Sequence, residues 1–117
     1  RTSPKVQSAM LEAMAEKLRA ALSRREPAIR DFYDLDHAVY RRGYPVGDPA
    51  FLALVRRKLE LPRDSVVDLS TVRFTALRAQ LDTALKPVLR PEDFENFDIE
   101  RAFATVAAVA AALGNTP

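Results

Sequence analysis

Lys17 is the first residue whose setting calls for chemistry. Residues 6–24 read as a helix. At about 100° per residue, Val6, Met10, Ala13, Met14, Leu18, Ala20 and Ala21 share one broad apolar sector. Glu12, Glu16, Arg19 and Ser23 fall opposite, toward water. Lys17 does not join them; it falls between Met10 and Met14, and Arg24 lies seven residues on, on the same face. An ammonium group taken out of water needs a partner or gives up its proton. It can also lay its stem along the core and put its head in solvent. Lys17 is therefore a functional cation, a member of a structural ion pair or a rim residue, and position alone leaves the three open.

The next helix offers carboxylates. Ala28, Phe32, Leu35 and Val39 form its core stripe. Asp31 sits at the edge of that stripe, between Leu35 and Ala38. Asp34 lies further round, on the polar side, with Arg30 four residues before it and His37 three after. The short link Arg25-Glu26-Pro27 makes the two helices neighbours, as in an antiparallel pair. Lys17 or Arg24 is then placed to meet Asp31. One reading is a partly buried salt bridge that fixes the helix pair. The other is a cation and a carboxylate lining a phosphate-handling cleft.

Other chemistry is thin. His37 is the only histidine, so a histidine-based nucleophile site lacks a second member. No His, Asp or Glu spacing makes a metal cage, and no metal ligand is expected here. Arg41-Arg42 and Arg56-Arg57-Lys58, with Tyr40 and Tyr44 near the first pair, are either RNA-backbone contacts or solvated helix faces.

Prolines and three glycines punctuate the elements that must hold these residues. The pattern predicts an all-α fold, a single bundle of about five helices. The first spans residues 6–24 and the second 28–41, closed by Gly43. Asp48-Pro49, a cap and a first-turn proline, opens a third helix to about Leu61, where Pro62 breaks it. Residues 64–68 are a connector in which Ser65-Val66-Val67 has a strand's composition without a partner. A fourth helix spans 70–86 with Phe74, Leu77, Leu81 and Leu85 on one stripe. Pro87 and Pro91 bracket a break, and Phe94 and Phe97 plug the core from a turn. Asp98 caps a fifth helix, 99–113, closed by Gly114-Asn115. The alanine-rich 107–112 stretch reads as a site of close packing within the domain.

The 117 residues suffice for one helical domain with its own core, and 48% hydrophobic with 29% charged is ordinary for a globular chain. The domain divides into a helix pair over 1–42 that carries the polar residues and a helical tail over 48–117. No apolar run is long enough to cross a bilayer. Absence of cysteine excludes a disulfide scaffold and thiolate metal sites and fits the cytoplasm. A net charge of +2 is too small to argue for nucleic acid. The opening Arg1-Thr2-Ser3-Pro4 lacks an initiator Met, and the chain is read as part of a larger protein.

Ala15-Glu16-Lys17-Leu18-Arg19-Ala20-Ala21-Leu22-Ser23-Arg24, followed by Ile29-Arg30-Asp31-Phe32-Tyr33-Asp34-Leu35, resembles a stretch of AbiEii/AbiGii-family nucleotidyltransferase toxins. The resemblance covers roughly residues 3–40. Beyond it, only helical class and the Leu89-to-Phe103 stretch look similar. It implies the C-terminal helical part of a toxin of bacterial toxin–antitoxin and abortive-infection systems. It implies a transferase whose substrates are a nucleotide triphosphate with Mg²⁺ and an RNA acceptor, tRNA included. Lys17, Asp31 and Asp34 then match catalytic positions, and Lys17, Arg24 and Arg30 match nucleotide-binding ones, with helix geometry favouring Asp31 as the functional carboxylate. The family's Gly-Ser turn and Asp-x-Asp strand have no counterpart here. The resemblance thus implies a missing N-terminal nucleotidyltransferase domain, an antitoxin partner and an isolated chain without activity. A rival of a different class is a non-catalytic helical module that binds a partner such as an antitoxin through an apolar patch on the Lys17 face.

Overall fold

The computed structural model describes residues 4–60 and 66–114. Six α-helices follow in order: α1 Pro4–Ser23, α2 Ile29–Asp36, α3 Pro49–Glu60, α4 Thr71–Gln80, α5 Pro91–Asn96 and α6 Ile99–Ala112. Among the described residues there is no strand, so the all-α expectation holds. Val66 and Val67 belong to no helix or strand, and Ser65 lies outside the described residues, as do Leu61, Pro62 and Asn115.

The caps fall where residue chemistry puts them. The Asp48 carboxylate accepts from the Ala50 and Phe51 N–H groups at 3.1 and 3.4 Å, starting α3. Ser70 accepts from the Arg73 N–H at 3.2 Å, and Asp98 from that of Arg101 at 3.0 Å. Gly43 follows helix two with φ +68°, a conformation that favours glycine.

Two helices end in a wider turn than their apolar periodicity suggests. Helix α2 continues through a π turn, His37–Arg41, and α4 through another, Leu81–Leu85, before the tight turn Lys86–Val88. Phe94 does not sit in an irregular turn. Pro91 at a first-turn position nucleates the short α5, which carries Phe94 in partly buried contact with the core.

Helix α1 is the spine, packed against α2, α3 and α6, while α2 also meets α6 and α4. Leu18 and Leu22 of α1, Phe32 and Leu35 of α2, Phe51 and Val55 of α3 and Leu77 of α4 are fully buried or nearly so. Each such side chain contributes about 1.5–3 kcal/mol through removal from water. Phe103 of α6 binds the aromatic part together, stacked on Phe32 at 5.9 Å and edge-on to Phe74 at 5.0 Å. Val109 and Ala110 of the alanine-rich stretch are buried, as is Val106 before it, while Ala108, Ala111 and Ala112 face outward.

The first helix departs from its helical-wheel reading in two ways. Its apolar sector is buried only from Met14 onward; Met10 is 45% exposed and Ala13 is exposed. Its polar face does not simply meet water. The Lys58 ammonium of α3 lies 2.7 Å from Glu12 and 3.7 Å from Glu16, so this member of the second basic cluster is neutralised by α1. Periodicity on one helix cannot show which neighbour crosses its polar side.

Candidate functional site

The α1–α2 corner brings the five charged candidates together. Lys17 leaves the fourth turn of α1 and donates to Asp34 Oδ2 at 2.7 Å. Arg30, one helical turn before Asp34, donates to the other carboxylate oxygen at 3.4 Å. Arg24, just past the end of α1, donates to Asp31 Oδ2 at 3.4 Å. The partner of Lys17 is therefore Asp34, not Asp31, and Asp31 pairs with Arg24. Asp34 is also not on a freely solvated face, because α1 crosses α2 far enough round to shelter it and leaves its side chain 25% exposed. The Lys17 side chain stays one-third exposed, so the pair with Asp34 is only partly withdrawn from water.

Beside these pairs lies an open depression lined by Ala13, Glu16, Lys17, Arg19, Ala20, Arg24 and Asp31. Three cations face two carboxylates here, which leaves a surplus positive charge for an incoming anion. Asp31 and Asp34 do not fit a metal cage. Each already faces a cation, and no three His, Cys, Asp or Glu side chains converge among the described residues.

Burial holds the Asp31 carboxyl above its usual value, against the pull of the Arg24 and Lys17 charges. A carboxyl raised in this way binds its proton more tightly in the folded than in the unfolded chain. Stability is then lost as pH rises from the ordinary carboxylate value through the raised one, so at neutral pH the ionised form costs stability. Asp31→Asn is accordingly expected to raise the melting temperature at pH 7 and to lose that advantage at about pH 3, where both states are protonated. Thermal melts at the two pH values check this, and a lower melting temperature at pH 7 would contradict it.

A further ion pair, away from that corner, joins α2 to α6 and is not among the residues singled out from the sequence. Asp36, 4% exposed, receives Arg101 of α6 in a bidentate pair, both contacts at 2.8 Å. The Arg101 guanidinium also lies 3.6 Å from the Tyr40 ring centroid and donates to the Asn96 carbonyl. The π turn carries Tyr40 onto that guanidinium. The signal was available: Asp36 lies four residues after Phe32 and seven after Ile29, inside the buried stripe. Arg73 and Gln80 of α4 were missed in the same way, on the stripe that Leu77 occupies. His37 stands beside Tyr33, ring centroids 6.0 Å apart. Arg41, Arg42, Arg56 and Arg57 are exposed and lie outside the candidate site.

A helical domain with a cation-rich corner is the class that fold and geometry define. The family model described as nucleotidyl transferase AbiEii toxin, type IV TA system, matches residues 9–111, and the chain belongs to that family. The match runs on from the α1–α2 pair through nearly all of α6, so it takes in the tail helices as well. Searches of the curated proteins and of the solved structures return no match. Among the described residues no helix is long and apolar enough to cross a membrane. The family is one of toxin–antitoxin systems, which implies an antitoxin partner.

Proposed function

We propose that this chain supplies the helical half of a nucleotidyl-transfer site, with Lys17 and Arg24 contacting the phosphates of a nucleotide triphosphate. The observation that carries the reading is the meeting of Lys17, Asp34, Arg30, Arg24 and Asp31 beside one open depression. Family membership supports the reaction class.

The pairing suggests how the cation is kept ready. Asp34 orients the Lys17 ammonium across the corner, and Arg30 holds the second oxygen of the same carboxylate. When Lys17 turns a proton toward a phosphate oxygen, Arg30 remains to neutralise Asp34. No carboxylate is then left unpaired in a sheltered place. Arg24, 54% exposed on its side chain, has the reach and fork geometry for a second phosphate oxygen. Asp31 is costly to keep ionised, which suits a group retained for its charge at a site rather than for stability.

Phosphoryl-type transfer also uses Mg²⁺ and a cradle of backbone amides. We assign both to another domain of a longer parent protein, working in the cytoplasm on an RNA acceptor. The polypeptide of residues 1–117 alone, given Mg²⁺, the four ribonucleoside triphosphates and total RNA, should transfer no label, while the full-length parent does. Label transfer by the short chain would overturn the assignment of the metal-binding half elsewhere.

A second reading has one observation in its favour. Met10 and Ala13 are exposed on the Lys17 side of α1, an apolar approach suited to a protein surface such as an antitoxin. It predicts that changes on this face spoil neutralisation and spare transfer.

A further inference from the structure

Helix α4 stands outside the α1–α2 pair, yet two of its side chains grip the corner between them. Arg73 is 4% exposed. One terminal nitrogen donates to the Arg24 carbonyl at 2.8 Å, and the other to the carbonyls of Ala20 at 3.2 Å and Ala21 at 2.8 Å. The last carbonyls of a helix run out of partners within it, and a cation there complements the negative end of its dipole; the Ala20 carbonyl is shared, since it also accepts the Arg24 N–H at 2.9 Å. Seven residues on, Gln80 engages the next stretch. Its side-chain oxygen accepts the Ile29 N–H at 2.8 Å and its amide nitrogen donates to the Pro27 carbonyl at 2.8 Å. The residues on either side of the link are thus tied to one rigid helix.

Packing alone does not account for a guanidinium in this place. Burial pulls the Arg73 pKa down, with Asp68 and Asp31 opposing. Its Nε–H is buried without a hydrogen-bond partner. An apolar side chain of similar volume would fill the space without either penalty. What it would not do is hold three carbonyls in a fixed fork. The Arg24 carbonyl is one of the three, and the Arg24 side chain is the one that reaches Asp31.

We infer that Arg73 and Gln80 are positioning residues for the cation cluster: they fix how α2 leaves α1, and with it the placement of Arg24 over Asp31. The inference rests on the reading of Lys17 and Arg24 as phosphate contacts. It gives α4 a part in the reaction although no α4 side chain lines the depression.

A double-mutant cycle in the full-length protein tests it. Arg73→Met, Gln80→Met and Arg24→Ala are made singly, and each of the first two is combined with the third. KM and kcat are measured for label transfer from each ribonucleoside triphosphate to total RNA, with thermal melts alongside. Arg73→Met should raise the triphosphate KM by about tenfold, since small misplacements at a binding site cost one to two orders of magnitude. That effect should vanish in the Arg24→Ala background, because Arg73 acts through Arg24. Equal KM losses in both backgrounds would overturn the inference and leave Arg73 a stability residue. Should Arg73→Met fail to fold, Gln80→Met carries the same comparison from a less buried site. If Arg24→Ala alone leaves KM unchanged, the phosphate-contact reading fails instead.

Discussion

Lys17→Ala in the full-length protein is expected to lower the transfer rate by about 10²–10³-fold, the usual loss when one group that stabilises charge in a transition state is removed. The stability cost should be under about 1 kcal/mol. The Lys17–Asp34 pair is partly exposed on both sides, and such pairs contribute little against solvent screening. Asp34 also keeps Arg30 after the substitution, so no bare carboxylate is left behind. The two readings of Lys17 therefore separate cleanly. A structural bridge predicts a change in melting temperature with activity falling only as far as the folded fraction falls. A phosphate contact predicts the reverse. Transfer and thermal melts on the same preparation decide between them. Intact transfer with lost antitoxin binding would move the account to the interaction-module reading.

The largest stability effect is expected at the opposite side of α2. Arg101→Met should destabilise the fold by about 3 kcal/mol, because it leaves the Asp36 carboxylate, 5% exposed on its side chain, without its bidentate partner. The melting temperature should fall on the order of 10 °C. Pairing it with Asp36→Leu should recover most of the loss, since no charge is then left unpaired in the interior. Denaturant unfolding of the two single variants and the double variant measures the coupling. A double variant as unstable as the sum of its parts would mean that Arg101 stabilises through its Tyr40 and Asn96 contacts and not through Asp36.

Much of this was legible in the residues, and the limits have physical causes. Prolines, Asp48 and Asp98 mark helix starts because capping is local chemistry, and both caps form as expected, while the structure adds a third at Ser70. Lys17 stood out because a cation among apolar neighbours breaks a simple pattern. The wheel left open whether Lys17 or Arg24 meets Asp31; Arg24 does, and Lys17 takes Asp34, which a wheel drawn on α2 puts toward water. The same blindness hid Glu12 and Glu16 meeting Lys58 across α1 and α3. Arg73 and Asp36 carried the same signal as Lys17, a charge on a buried stripe, and a uniform search of every helix would have found them. The π turns were not legible, since neither His37–Arg41 nor Leu81–Leu85 contains a residue that forces a wider turn.

Affinity labelling puts the central claim to the shortest test. A nucleoside triphosphate whose terminal phosphate carries an acyl group transfers that acyl group to a lysine amine lying against the phosphates and releases the nucleotide. Incubated with the full-length protein and mapped by peptide mass spectrometry, such a reagent should mark Lys17, and excess unmodified triphosphate should block the mark. Acylation of other lysines, with Lys17 unmarked and protection by nucleotide intact, would place the phosphates elsewhere and end the account of this corner as half of a transfer site.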